Sequence, residues 1–264
     1  SHSSTGRDWT PPRKLAGMGG HYQISRSIGD RVLTAFNAHP NGNVDLRTNL
    51  YYLETRNLGK SWHTITGHEI TPPLTDFSHP ARVEDYQKQG RRVYLKDLTV
   101  DDEGQPIILH LISDHHQPGP HRRPRSWRVA HWRNGTWAME DIAPAWHNYD
   151  MGSLVVEKGQ PWRLIAPTAP GPQKQGTGGE VILWERKAPG SWKPIKAITH
   201  HSPRNHAYVR RPLDAHPDFA AFWADGNPDR LSPSRLYFTD REGSGVWQLP
   251  ETMEGPTAPP LRLY

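Results

Sequence analysis

The chain has no cysteine in 264 residues. This excludes a disulfide framework, a thiol nucleophile and thiolate zinc ligation, and it leaves the redox compartment open. No apolar run approaches the roughly eighteen residues that a membrane helix requires. Aliphatic material is scarce, with hydrophobic residues at 34% and a mean hydropathy of −0.81, low for a tightly cored α/β enzyme. Stretches holding a 3.6-residue apolar period are missing, which argues against helices. Three catalytic signatures are absent too. Segment 176–179 is glycine-rich but lacks the lysine of a phosphate loop, Gly243-Ser244-Gly245 is a turn and not a nucleophile elbow, and there is no His-x-x-x-His. The pairs His115-His116 and His200-His201 would point to opposite strand faces, so neither chelates one ion. Asp214, His216 and Asp218 have period-two spacing that could ligate a cation, although a turn with capping carboxylates fits them better.

What the chain does have is large rings and turn residues: 11 Trp, 9 Tyr, 26 Pro and 23 Gly. The rings supply the burial that aliphatics do not. The scattered Pro and Gly fit short strands punctuated by turns. A tryptophan returns at the end of a glycine turn at Trp9, Trp62, Trp137, Trp192 and Trp247, with gaps of 53, 75, 55 and 55 residues. A period of this size is the signature of solenoids and propellers, whose units bury their apolar faces against neighbours.

The clearest copy is Thr55-Arg56-Asn57-Leu58-Gly59-Lys60-Ser61-Trp62. Its chemistry is that of a hairpin turn: the Asn side chain caps the backbone, Gly takes positive φ, and Trp tucks under the next strand. Alternating strand patterns run over 31–36, 49–54, 92–98, 106–112, 126–132, 153–157, 162–166, 180–185, 219–223 and 235–239. About four antiparallel strands per 50 residues is the size of a propeller blade. The expected fold is therefore an all-β propeller in one domain. Four-stranded blades fall at 20–66, 91–142, 147–198 and 206–249, with a remnant hairpin at 1–14. Four blades and a remnant suggest the C-terminal part of a six- or seven-bladed ring, with an N-terminal fragment as the partner that completes it. A compact five-bladed ring is the alternative.

The net charge is +5, with Lys and Arg dispersed. The longest basic block, His121-Arg122-Arg123-Pro124-Arg125, is short and interrupted by proline. Nucleic acid is not the expected partner and neither is a membrane; an acidic polymer of another kind suits the charge. No signal peptide is visible in a chain that opens inside a repeat.

Propeller sites lie where the inner strands of successive blades begin, so polar residues at one phase of the repeat converge. His21 opens the first inner strand and His39 ends the second strand. His147 and Tyr149 open the third unit, with Arg163 in the strand that follows. His206, Tyr208, Arg210 and Arg211 hold the same phase in the fourth. Trp146, Trp162 and Tyr208 are candidate sugar-stacking walls, with blade core as the competing role.

The segments Gly20-His21-Tyr22-Gln23, Thr48-Asn49-Leu50-Tyr51-Tyr52, His147-Asn148-Tyr149-Asp150 and His216-Pro217-Asp218 through Trp223-Ala224-Asp225-Gly226 carry a family resemblance. The chain resembles bacterial BNR-repeat (Asp-box) propeller proteins, a group similar to the seven-bladed lyases that cleave ulvan and rhamnose-glucuronate linkages. The resemblance implies a carbohydrate-active enzyme on an acidic, uronate-containing polysaccharide, secreted or periplasmic, that acts by β-elimination. In such lyases a His or Tyr takes the proton at C5, a Tyr or His protonates the leaving oxygen, and an Arg neutralises the carboxylate. Carried over, Tyr149, His21 and His206 are the catalytic candidates. Arg163, His39, His147, Tyr208, Arg210 and Arg211 are the substrate-binding candidates. The resemblance admits a divalent ion, calcium or zinc, without assigning its ligands, and calls for no other cofactor. Two other readings stand beside elimination: a sialidase-like hydrolase with Arg163, Arg210 and Arg211 around a carboxylate, and a non-catalytic glycan-binding propeller.

Overall fold

A computed structural model describes residues 1–119, 125–174, 176–227 and 230–263. The described chain is all-β, with 19 strands and only two 3-10 turns. Every paired strand in it runs antiparallel to its neighbour, as short strands joined by tight turns require. Two compact units are present, Ser1–His116 with Val129–Met139, and Gln117–Arg128 with Glu140–Tyr264.

The first unit opens with a six-stranded sheet. Its path is β1 (Gln23–Ile28), β2 (Arg31–Ala38), β3 (Thr48–Thr55), β4 (Trp62–His63) and β5 (Glu69–Ile70), with β6 (Arg82–Glu84) pairing on β3. It also contributes β7 (Arg92–Val100), β8 (Pro106–Ser113) and the 129–139 hairpin of β9 (Arg125–Arg133) and β10 (Thr136–Pro144) to a sheet of order β10-β9-β8-β7. All eight residues of β8 are buried, so it reads as a continuous run, Pro-Ile-Ile-Leu-His-Leu-Ile-Ser, and not as an alternation. Its one imidazole, His110, is satisfied by the Tyr86 hydroxyl at 2.7 Å and the Ile108 carbonyl at 3.2 Å, as a buried polar group must be. One core gathers Leu33, Leu50, Tyr52, Val93, Ile108 and Ile112.

The second unit carries the sheet β11 (Ser153–Val155), β12 (Trp162–Ala169), β13 (Glu180–Arg186) and β14 (Lys193–Ala197). A five-stranded sheet follows: β15 (His206–Arg210), β16 (Ala221–Asp225), β17 (Leu236–Thr239), β18 (Trp247–Gln248) and β19 (Leu261–Arg262). Its core holds Ile165, Leu183, Val209, Ala221, Trp223 and Tyr237. Apart from β6, which pairs on β3, the strands of each sheet follow the chain in up-and-down order, the connectivity of a propeller blade.

The turn at 55–62 is built as its spacing requires. Asn57 Oδ1 accepts from the Ser61 amide at 3.0 Å, and Thr55 Oγ1 accepts from the Gly59 amide at 3.0 Å. Gly59 sits at φ +77°. Trp62 packs partly buried against the cluster of Phe36, Tyr51 and Leu53. Trp192 is likewise buried, and Trp247 stacks on Phe238 at 5.4 Å.

One expectation needs correction. Residues 1–14 form no strand: Pro11 and Pro12 lack amide donors, and Trp9 is 63% exposed, its indole turned back on the Gly6 carbonyl. Most of the basic block, residues 121–124, lies outside the described residues. Its last member, Arg125, is buried and bonded to Asn148 and to the Gln117 carbonyl.

Candidate active site

In the first unit the chain enters β1 through Gly19 and Gly20, at φ +76° and +134°. A Cβ on Gly19 would meet the His39 carbonyl oxygen at 2.1 Å, and one on Gly20 would meet His39 Nδ1 at 3.0 Å. Only glycine lets this strand entry lie against His39. Asn37 completes the junction, accepting from the Tyr22 amide at 2.8 Å and donating to the Val93 carbonyl at 3.2 Å. His21 and Tyr22 are thereby held beside His39, and the start of β7 is tied to the same place.

The charges there are unusual. Arg47 follows the 3-10 turn Val44–Leu46 and is 6% exposed, its Nε donating to the Val44 carbonyl. Its guanidinium lies between two phenol rings, 5.0 Å from Tyr22 and 4.7 Å from Tyr94. The Lys96 ammonium, 2% exposed, sits 5.8 Å from the same Tyr94 ring. Cations over aromatic faces gain from the ring quadrupole, and more so when desolvated. His39 stands edge-on to Tyr22 at 5.0 Å, its Nε2 buried without a hydrogen-bond partner. Burial, then the charge of Arg47, then His21 hold its pKa below the usual imidazole value, so this ring is neutral at neutral pH. His21 is more open. Its Nε2 lies 3.1 Å from Gln23 Oε1, an acceptor, which places the proton on Nε2 and the lone pair on Nδ1. Tyr22 is half exposed.

Of this set, the sequence singles out His21 and His39. It misses Arg47, Tyr94 and Lys96. The last two show the period-two spacing of one strand face on β7, the only local signal either of them leaves.

In the second unit the loop preceding β11 is fixed by buried polar groups. Asp150 accepts from the His147 amide at 2.9 Å and the Gly178 amide at 2.7 Å, and Tyr149 N donates to His147 Nδ1 at 3.1 Å. Tyr149 emerges 42% exposed. Ser153 Oγ accepts from the Arg211 amide at 3.1 Å, which joins the start of β11 to the end of β15. Arg211 Nε is buried and unpartnered. Tyr208 projects from β15, well exposed, with Arg210 following.

Arg163 does not join Tyr149. It pairs with Val155 at the far end of the β11–β12 ladder, and its guanidinium is bound to both Glu242 oxygens at 2.9 and 3.0 Å and to the Arg241 carbonyl. His206 is a core residue. Trp223 Nε1 donates to its Nδ1 at 2.8 Å, so Nε2 carries the proton and donates to Ser202 Oγ, whose own hydrogen goes to Glu180. Trp162 lies beneath the Arg186 guanidinium at 4.1 Å, and the Trp146 indole donates to the Thr168 carbonyl, which leaves Tyr208 as the exposed ring of the three expected walls. Asp214 to Asp218 is a turn, with the Asp218 amide donating to His216 Nδ1. Among the described residues, no group of three or more His, Asp or Glu is arranged to hold a metal ion.

The pKa of His206 is pushed below 6.5 mainly by burial, against the opposing pull of Glu180 and Asp225. A lowered folded-state value means that the unfolded chain binds the proton first. Stability is complete above the unfolded value and falls as pH drops from there toward the folded one. Urea melts at about pH 7.5 and about pH 5.5 should show lower stability at the acid value, with a smaller difference in His206→Gln. An equal difference in the two proteins would remove His206 from the account.

No family model matches the chain, and no curated protein matches it. Solved structures do. It is similar to an ulvan lyase from a new polysaccharide lyase family, with a TM-score of 0.65 and 15% identity over 83% of this chain and 51% of that one. The same lyase bound to a GlcA(1-4)Rha3S repeat gives a TM-score of 0.64. A microbial sialidase follows with a TM-score of 0.52 and 10% identity over 94% of this chain and 50% of the other. The chain spans about half the length of these structures. At such identities the likeness establishes the fold, which is that of propeller-type carbohydrate-active enzymes.

Proposed function

We propose that the protein is a polysaccharide lyase that cleaves uronate-containing glycans by β-elimination. The observation that carries this reading is the doubly cationic, desolvated site of the first unit, where Arg47 and Lys96 share the Tyr94 ring beside two imidazoles. A uronate C5 proton is a poor acid until the adjacent carboxylate charge is neutralised. Buried cations supply that neutralisation in a medium where it counts most. His21, through Nδ1, takes the C5 proton. Arg47 and Lys96 stabilise the charge that develops on the carboxylate, and the half-exposed Tyr22 hydroxyl returns a proton to the leaving glycosidic oxygen. His39, held neutral, adds no competing positive charge beside the base. The fold shared with an ulvan lyase supports the substrate class.

Within the second unit, taken by itself, Tyr149, His147, Arg210 and Arg211 are proposed as glycan contacts. Arg163 and His206 are left out, because their polar atoms are committed within the protein. Incubation with a panel of uronate glycans should generate unsaturated ends that absorb in the ultraviolet. Release of saturated fragments would select hydrolysis, and binding without turnover would select a lectin-like role.

A further inference from the structure

One exposed ring of the second unit is held in a conformation that the fold alone does not need. Tyr208 lies on β15 at φ +62°, where bulky residues are genuine outliers. The pairing shows why. Ala207 faces Ala224 and Arg210 faces Phe222, so β15 carries one residue more than its partner over that step. Such a bulge re-aims a side chain, and bulges gather beside functional sites. Here the neighbours His206 and Val209 are buried, while Tyr208 is turned out to 59% exposure.

The ring borders a cavity of about 390 Å³, within the range of small-ligand sites. Asn205 forms one wall and is rigid: it is 3% exposed, and its amide accepts from the Gln173 amide and donates to the Gln173 and Thr177 carbonyls. Arg230 and Ser232 line another side, with Ser232 Oγ fixed by the Asn227 amide. The cavity thus offers an aromatic face, the Ser232 hydroxyl and an exposed guanidinium. A pyranose presents an apolar face and a rim of hydroxyls, and a uronate adds one carboxylate suited to arginine.

The geometry points to a glycan subsite in the second unit, in which Tyr208 stacks on a sugar ring and Arg230 binds its carboxylate. The inference rests on the acidic-polysaccharide reading for its ligand class, but not on the elimination chemistry. Strained residues persist where function retains them, so Tyr208→Gly should relieve the backbone and leave the melting temperature equal or higher while binding is lost.

The probe is a glucuronate oligosaccharide, compared with the same oligosaccharide after carboxyl reduction. Titration into the His21→Ala protein measures binding without turnover. Adding Tyr208→Gly should weaken binding of both probes by at least about tenfold. Adding Arg230→Gln should weaken only the carboxylated one. Unchanged binding of both probes by both variants, with melting temperature preserved, overturns the subsite even if the protein is a lyase. Binding that depends on Tyr208 in a protein that yields no unsaturated product would uphold the subsite and refute the lyase.

Discussion

Replacing His21 by Ala should lower the formation of unsaturated product by roughly 10²- to 10⁴-fold, the usual range for loss of a positioned general base or acid. Tyr22→Phe should fall in the same range, since it removes only the hydroxyl and keeps the ring that covers Arg47. In both variants the loss should appear in kcat more than in KM, because each group acts on the transition state and contributes little to ground-state binding. A variant at either position that keeps full activity would remove that residue from the chemistry. His39→Gln is the informative neighbour: it preserves an uncharged, polar side chain, so it should be tolerated better than His39→Lys, which would add a third cation to the site.

The largest expected stability effect lies elsewhere in the second unit. Glu140 and Arg186 form a bidentate pair, at 2.8 and 2.6 Å, with both side chains more than nine-tenths buried. Glu140 also accepts from the Gly190 amide at 2.9 Å, and Arg186 covers the Trp162 ring. Truncating one member of such a pair leaves an uncompensated charge, which typically costs about 3–5 kcal/mol. Glu140→Ala should therefore lower the melting temperature by on the order of 10 °C, since about 2–4 °C accompanies each kcal/mol in domains of this size. Replacing both partners with leucine should restore much of that loss, because the cost comes from the stranded charge. If the single variant melts within about 2 °C of the parent, the pair contributes far less than its burial implies.

Much of the fold is legible in the sequence because its signals are local. The turn at 55–62 needs only an Asn, a Gly and a Trp at fixed offsets, and the alternating runs need only neighbours along a strand. The opening segment forms no strand because a Gly and a Trp at the right spacing do not make a ladder where two prolines remove the donors. The candidate site is legible in part. His21 and His39 stand out through their place in the repeat, and that place is backbone geometry. The same reasoning points to His206, whose position at the start of β15 matches the phase but whose ring is enclosed by Trp223, Ser202 and Tyr237, partners set by tertiary packing. Arg163 is held away from Tyr149 for a similar reason: Glu242, the carboxylate that binds it, lies 79 residues away. Arg47 and Lys96 left almost no trace in the sequence. Their significance comes from being buried against Tyr94, and the burial of a cation depends on contacts that no short window contains.

The most direct measurement uses a uronate glycan deuterated at C5, incubated with the intact protein and followed by mass analysis of the fragments. If His21 removes that hydrogen, every newly formed non-reducing end will be unsaturated and will have lost its deuterium. Fragments that keep the deuterium and have gained a water would show that cleavage proceeds by hydrolysis, and the elimination chemistry assigned to His21, Arg47 and Tyr22 would be wrong.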